Sequence, residues 1–158
     1  MKKLLIIVLF CSALFAENNY STTSNWLLDT NTSEAKFKAI QTQFRGFDQA
    51  MVEVGYRFNG FYFAIKNRNY ELAHYQWDKI KKSIKNGIQR RPARAENGLN
   101  MFINTQYKSM KEALNKKDVK LIWQEYEKSK NICNACHTAE RVPFIKVIDP
   151  SHRLLPIK

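Results

Sequence analysis

Apolar residues return every three or four positions over most of this chain, and never every second position for any useful length. The longest stripe is Phe37, Ile40, Phe44, Phe47, Met51, Val54, Phe58, Phe61 and Ile65, which reads as one long helix of about four heptads. No proline interrupts it. Gly46, Gly55 and Gly60 each weaken helix propensity by about 1 kcal/mol, and each also permits close approach of a neighbouring helix or a flat ligand. Asn67-Arg68-Asn69 reads as a turn. Ala73, Trp77, Ile80, Ile84 and Ile88 mark a second helix ending near Arg91, because Pro92 cannot continue the backbone hydrogen bonding. Residues 94–98 read as a loop. Leu99, Ile103, Tyr107, Met110 and Leu114 mark a third helix, and Asn115-Lys116-Lys117 a turn. Asp118 is placed to cap a fourth, along one side of which lie Val119, Ile122, Tyr126, Cys133 and His137. Pro143 sits at or just past its end. Four amphipathic helices with short connections predict an all-α fold, an antiparallel up-down-up-down four-helix bundle.

The N-terminus follows a different pattern. Met1-Lys2-Lys3 is basic, residues 4–15 are almost wholly apolar, and the small Ala16 precedes Glu17-Asn18-Asn19. That is the layout of a cleaved secretory signal peptide. The apolar run is shorter than the roughly 20 residues of a membrane-spanning anchor. Cys11 lies inside the run behind the bulky Phe10, an unsuitable setting for lipidation. Residues 17–32, rich in Asn, Ser and Thr, read as a flexible leader with Trp26 as an aromatic anchor; Thr32 or Ser33 caps the first helix. The expected organisation is signal peptide 1–16, leader 17–32, helical domain 33–140 and C-terminal tail 141–158, in a periplasmic protein.

Charge adds partners to this picture. Lys and Arg number 26 against 14 Asp and Glu, for a formal net charge of +12, and loss of Lys2 and Lys3 with the signal peptide would leave +10. A basic exported protein is suited to an acidic partner protein or to peripheral association with an anionic membrane surface. Solvated lysines on helix faces account for the charge equally well. Export makes nucleic acid an unlikely partner.

The chemistry is concentrated in Cys133-Asn134-Ala135-Cys136-His137. On a helix these three side chains share a face. Two thiols at this spacing form thioethers with the vinyl groups of one haem, and the adjacent imidazole reaches its iron. Cys133 and Cys136 are therefore the covalent attachment points for one haem c, and His137 the axial iron ligand. Once the signal peptide is removed they are also the only cysteines. Three other readings stay open. A dithiol oxidoreductase needs its Cys-x-x-Cys at a helix N-terminus, whereas this one is near a C-terminus. A zinc site needs a second Cys/His cluster, and none is seen. A disulfide across three residues hardly constrains a chain.

A four-helix bundle whose Cys-x-x-Cys-His string lies on the last helix resembles the class II c-type cytochromes, the cytochrome c-prime type, over residues 33–138. The resemblance implies a homodimer through the aromatic first helix and an iron with an open sixth position. The chain departs from that pattern in "FYFAIKNRNYELA" at the end of the first helix and in the tail "VPFIKVIDPSHRLLPIK".

Antiparallel packing limits what faces the iron. At about 1.5 Å rise per residue, residues 133–137 lie roughly 24–30 Å from the end where helices one and two turn, and His74 only about 6 Å from it. On the first helix the matching level is residues 44–51. Met51 is the candidate sixth ligand, with Met101 and the tail's His152 behind it. Phe44 and Phe47 are candidates to cap the distal face. Arg91, with Arg90 and Arg94, is a candidate partner for the haem propionates. The functional expectation is an exported monohaem c-type cytochrome carrying single electrons to a redox partner, rather than an enzyme. The alternatives are a five-coordinate haem protein binding NO or CO, and a haem-free thiol oxidoreductase.

Overall fold

The computed structural model describes residues 25–154 together with Pro156 and Ile157. The expected signal peptide, Cys11 and the start of the leader lie outside the described residues. The protein is all-helical, with no strand among the described residues. It divides into two compact units, Met1–Gln43 and Phe44–Lys158.

In the first unit, α1 spans Ser33–Gln43. The expected cap at Thr32 is present, its Oγ1 accepting the Ala35 N–H at 3.1 Å. No residue of α1 is buried, and Phe37 is 71% exposed. The single long first helix expected from the apolar stripe is thus two helices. Apolar spacing continues through residues 37–65, but the backbone helix does not. Arg45 adopts a positive φ of 57°, and Gly46 is extended at φ −104° and ψ −149°. Asp48 fixes the break, accepting the Gly46 N–H at 3.1 Å and pairing with the Arg45 guanidinium. Periodicity reports which face is apolar; it carries no information about one residue's φ.

The second unit begins with α2, Phe47–Lys66, and α3, Tyr70–Arg90. Their turn closes as expected, with Asn69 Oδ1 accepting the Leu72 N–H at 3.0 Å. Phe47 and Ala50 lie against Gly87, and the Phe61 ring lies 4.9 Å from Trp77, so α2 and α3 pair as a hairpin along their length. A Cβ at Gly87 would stand 3.0 Å from both Ala50 Cβ and the Phe47 ring. Gly87→Val should therefore destabilise the protein by about 1–3 kcal/mol through overpacking. A lowered denaturant midpoint at unchanged m-value would register it.

The expected loop at residues 94–98 is helical instead. A 3₁₀ turn at Pro92–Arg94 leads into α4, Ala95–Asn97, a wide π-helical stretch at Gly98–Gln106, and α5, Tyr107–Lys116. The cause is tertiary. Arg94 pairs with the Glu140 carboxylate and donates to the Glu140 carbonyl at 3.0 Å, while Asn97 Nδ2 donates to Glu140 Oε1 at 2.8 Å. Lys117, at φ 52°, turns the chain into α6, Val119–Ala139, whose expected cap is present as Asp118 Oδ1 accepts the Leu121 N–H at 3.0 Å.

The core is strongly aromatic. Phe61, Trp77 and Tyr126 are fully buried, and Phe58 stacks on Tyr126 at 5.1 Å. Gln106 ties the π stretch to α6, its Nε2 donating to Ser129 Oγ at 2.8 Å. Among the described residues no helix is long and apolar enough to cross a membrane.

Candidate functional site

Cys133, Cys136 and His137 line one cavity of about 830 Å³ in the second unit. The stripe Ile122, Tyr126 and Ser129 buries the N-terminal part of α6. Extending it by three- and four-residue steps brings Cys133, Cys136 and His137 onto the same face. Phe47, Met51 and Gly55 of α2, one turn apart from one another, line the same cavity. Met51, the candidate sixth ligand, is thus among its lining residues. Gly55 is exposed, and a Cβ built on it would meet nothing within 4 Å.

Other expected positions divide. Phe47, Arg94 and His152 line the cavity; Phe44, Arg90, Arg91 and Met101 do not. Phe44 is 57% exposed, lying under the Arg90 guanidinium just before the break that opens α2. The Arg91 side chain is directed at Gly46 instead. His74 lies away from the cavity, beside Asp78 and Lys111, where burial and then the Lys111 charge lower its pKa. The basic groups that do reach the cavity include Arg45 and Lys146 as well as Arg94.

Both cysteines are free thiols. Burial, reinforced by Cys136, pushes the Cys133 thiol up to about 12. Burial and Glu140 also raise Cys136, with Arg94 opposing. Among the described residues no group of three His, Cys, Asp or Glu side chains converges so as to hold a bare metal ion.

The imidazole of His137 is held by backbone. α6 ends in a Schellman turn: Arg141 adopts φ 62°, Val142 N–H bonds the His137 carbonyl at 2.8 Å, and Arg141 N–H bonds the Thr138 carbonyl at 3.1 Å. The chain is thereby thrown back over its own helix, and the Ile145 carbonyl meets His137 Nδ1 at 2.7 Å. A carbonyl only accepts, so Nδ1 carries a proton, and in the neutral ring the lone pair is on Nε2.

Sequence reasoning missed the role of the tail. Val142 and residues 145–152 form a wall of the cavity. Three anchors hold it. Asn134 bonds both backbone groups of Val147, Asp149 accepts from Lys130 Nζ at 2.6 Å, and Asn59 Nδ2 donates to the His152 carbonyl at 2.9 Å. The available signal was Pro143 and Pro150 bracketing the apolar residues Ile145, Val147 and Ile148. That pattern marks an extended segment with something to bury, though not where it lies.

No family model matches this chain, and neither a curated protein nor a solved structure matches it.

Proposed function

We propose that this protein is an exported monohaem c-type cytochrome that carries single electrons. One observation carries the reading: Cys133, Cys136 and His137 face one cavity, with the Nδ1 proton of His137 engaged by the Ile145 carbonyl and Nε2 left as the free donor. A carbonyl on the far nitrogen is the usual support of a metal-bound histidine, because it fixes the tautomer and strengthens the donor. The cavity fits a haem in several respects. Its volume is within the roughly 300–1,000 Å³ typical of cofactor pockets. Its wall carries two free thiols at the required spacing. When bound, haem supplies a one-electron couple whose potential the protein sets.

In this reading Cys133 and Cys136 would hold the haem through thioethers and His137 would supply a ligand to its iron. Phe47 and Phe58 shield the cavity from the α2 side. Arg45, Arg94 and Lys146 are the cations available to the propionates. The high Cys133 pKa speaks against thiol exchange, which needs an accessible thiolate. The same reading makes Phe44–Lys158 an antiparallel up-down bundle related to the class II cytochromes, working in the periplasm with an acidic redox partner. Phe47, which lines the cavity from α2 as the candidate distal cap, supports a second reading, in which the iron keeps an open position for NO or CO.

Met51 separates the two. If its sulfur binds opposite His137, Met51→Ala should convert a low-spin spectrum to a high-spin one and allow CO to shift the reduced Soret band. A wild-type spectrum already high-spin and CO-responsive, unchanged by the substitution, would select the gas-binding site.

A further inference from the structure

Asn134 fills the first variable position of the Cys-x-x-Cys-His string, and haem attachment assigns it no task. Its side chain makes both of the bonds that a neighbouring strand would make. Nδ2 donates to the Val147 carbonyl at 3.0 Å, and Oδ1 accepts the Val147 N–H at 2.8 Å. This two-point grip fixes the orientation as well as the position of the tail backbone at residue 147. Two residues earlier lies the carbonyl of Ile145, which accepts from His137 Nδ1 at 2.7 Å. On its other side the same stretch is held by the Schellman turn and by the Ile145 N–H on the Val142 carbonyl at 3.0 Å. The segment from His137 to Val147 is therefore a closed loop, pinned at one end by the helix terminus and at the other by Asn134.

We propose that Asn134 is a positioning residue for His137. By gripping Val147, it keeps the Ile145 carbonyl on the Nδ1 proton, and so keeps the ring from rotating and Nε2 as the donor nitrogen. The proposal deepens the haem reading and rests on it for what Nε2 binds; the orientation of the ring is a property of the chain itself. An acceptor on Nδ1 makes the imidazole a stronger donor, which favours the oxidised iron. Losing the grip weakens that support.

The test compares the mature chain, matured with haem, as wild type, Asn134→Ala and Asn59→Ala. Asn59 holds the tail further on, at His152 and Leu154, beyond the Asp149 anchor. Asn134→Ala should retain covalent haem, raise the reduction potential, and speed exchange of the His137 ring proton seen by nitrogen-15 NMR. Asn59 also lines the cavity, and Asn59→Ala should leave the exchange of the His137 ring proton at its wild-type value. Unchanged potential and ring-proton exchange in Asn134→Ala would overturn the proposal. So would equally faster ring-proton exchange in Asn59→Ala, which would make the effect one of general tail order. If Asn134→Ala does not fold, Asn134→Gln replaces it with the same expectations, since its amide is neutral but one methylene too long to grip Val147. Wild-type protein without covalent haem would end the haem reading and not this one. The ring proton of the haem-free chain would then decide, protected in wild type and exchanging faster in Asn134→Ala.

Discussion

Cys133→Ser/Cys136→Ser should lose covalent haem completely. When the wild-type chain is produced with a haem-maturation system, its haem should survive denaturing electrophoresis and stain with the polypeptide. The double variant should show no such band, because a serine hydroxyl does not supply the thioether sulfur. Each single variant should retain one linkage and stain more weakly. The loss should not come from unfolding. The two cysteines lie on the cavity wall, apart from the core built around Phe61, Trp77 and Tyr126. Two exchanges of a small, weakly polar side chain at a cavity should together cost about 1–3 kcal/mol, so the far-ultraviolet circular dichroism should remain helical. A wild-type chain that bears no haem under these conditions would remove both haem readings at once. The thiol reading would then require Cys133 to react readily near neutral pH, against a thiol held up to about 12 by burial.

Trp77→Ala should be the most damaging single change to the fold, by about 3–5 kcal/mol. Trp77 has no exposure and is among the largest fully buried side chains. Its ring lies 4.9 Å from Phe61 of α2 and 5.2 Å from Phe102 of the π stretch, so removing it opens a void between three helical segments. Its Nε1–H also donates to the Tyr107 carbonyl at 3.0 Å, at the junction where the π stretch returns to α-helix. Small helical domains have about 5–15 kcal/mol to lose, so this variant should give up a large share of the native stability. Trp77→Phe keeps most of the packing and loses the donor, and should cost about half as much or less. Denaturant titration of the two variants under identical haem loading separates packing from hydrogen bonding, because bound haem itself stabilises the native state.

Several features were legible from the sequence because they depend on neighbours along one helix. The α3 and α6 stripes, the caps at Thr32 and Asp118, and the stop before Pro92 involve residues within four positions of each other. The helical rise was enough to bring Met51 of α2 forward as a residue near the Cys-x-x-Cys-His string, and it lines the same cavity. Phe44 was misplaced for an equally simple reason. Its spacing fits the stripe, but Arg45 and Gly46 leave helical geometry, and the residues before the break do not continue the face of α2. The expected loop at 94–98 failed because Glu140, more than forty residues away, supplies the hydrogen bonds that hold it helical.

What the sequence determined by itself was the helical class, the faces that α3 and α6 bury, and the residue content of one site: two thiols and an imidazole in a Cys-x-x-Cys-His string. What only the tertiary structure decided was the enclosure of that site. The tail is apolar in places but has no helical period, so nothing local places it. Its position follows from Asn134, Lys130 and Asn59, side chains on two different helices that satisfy its backbone and its aspartate. The left-handed turn at Arg141 is equally silent in sequence, since that conformation usually announces itself with glycine. Together they bring the Ile145 carbonyl onto His137, and that contact selects which ring nitrogen is free to bind.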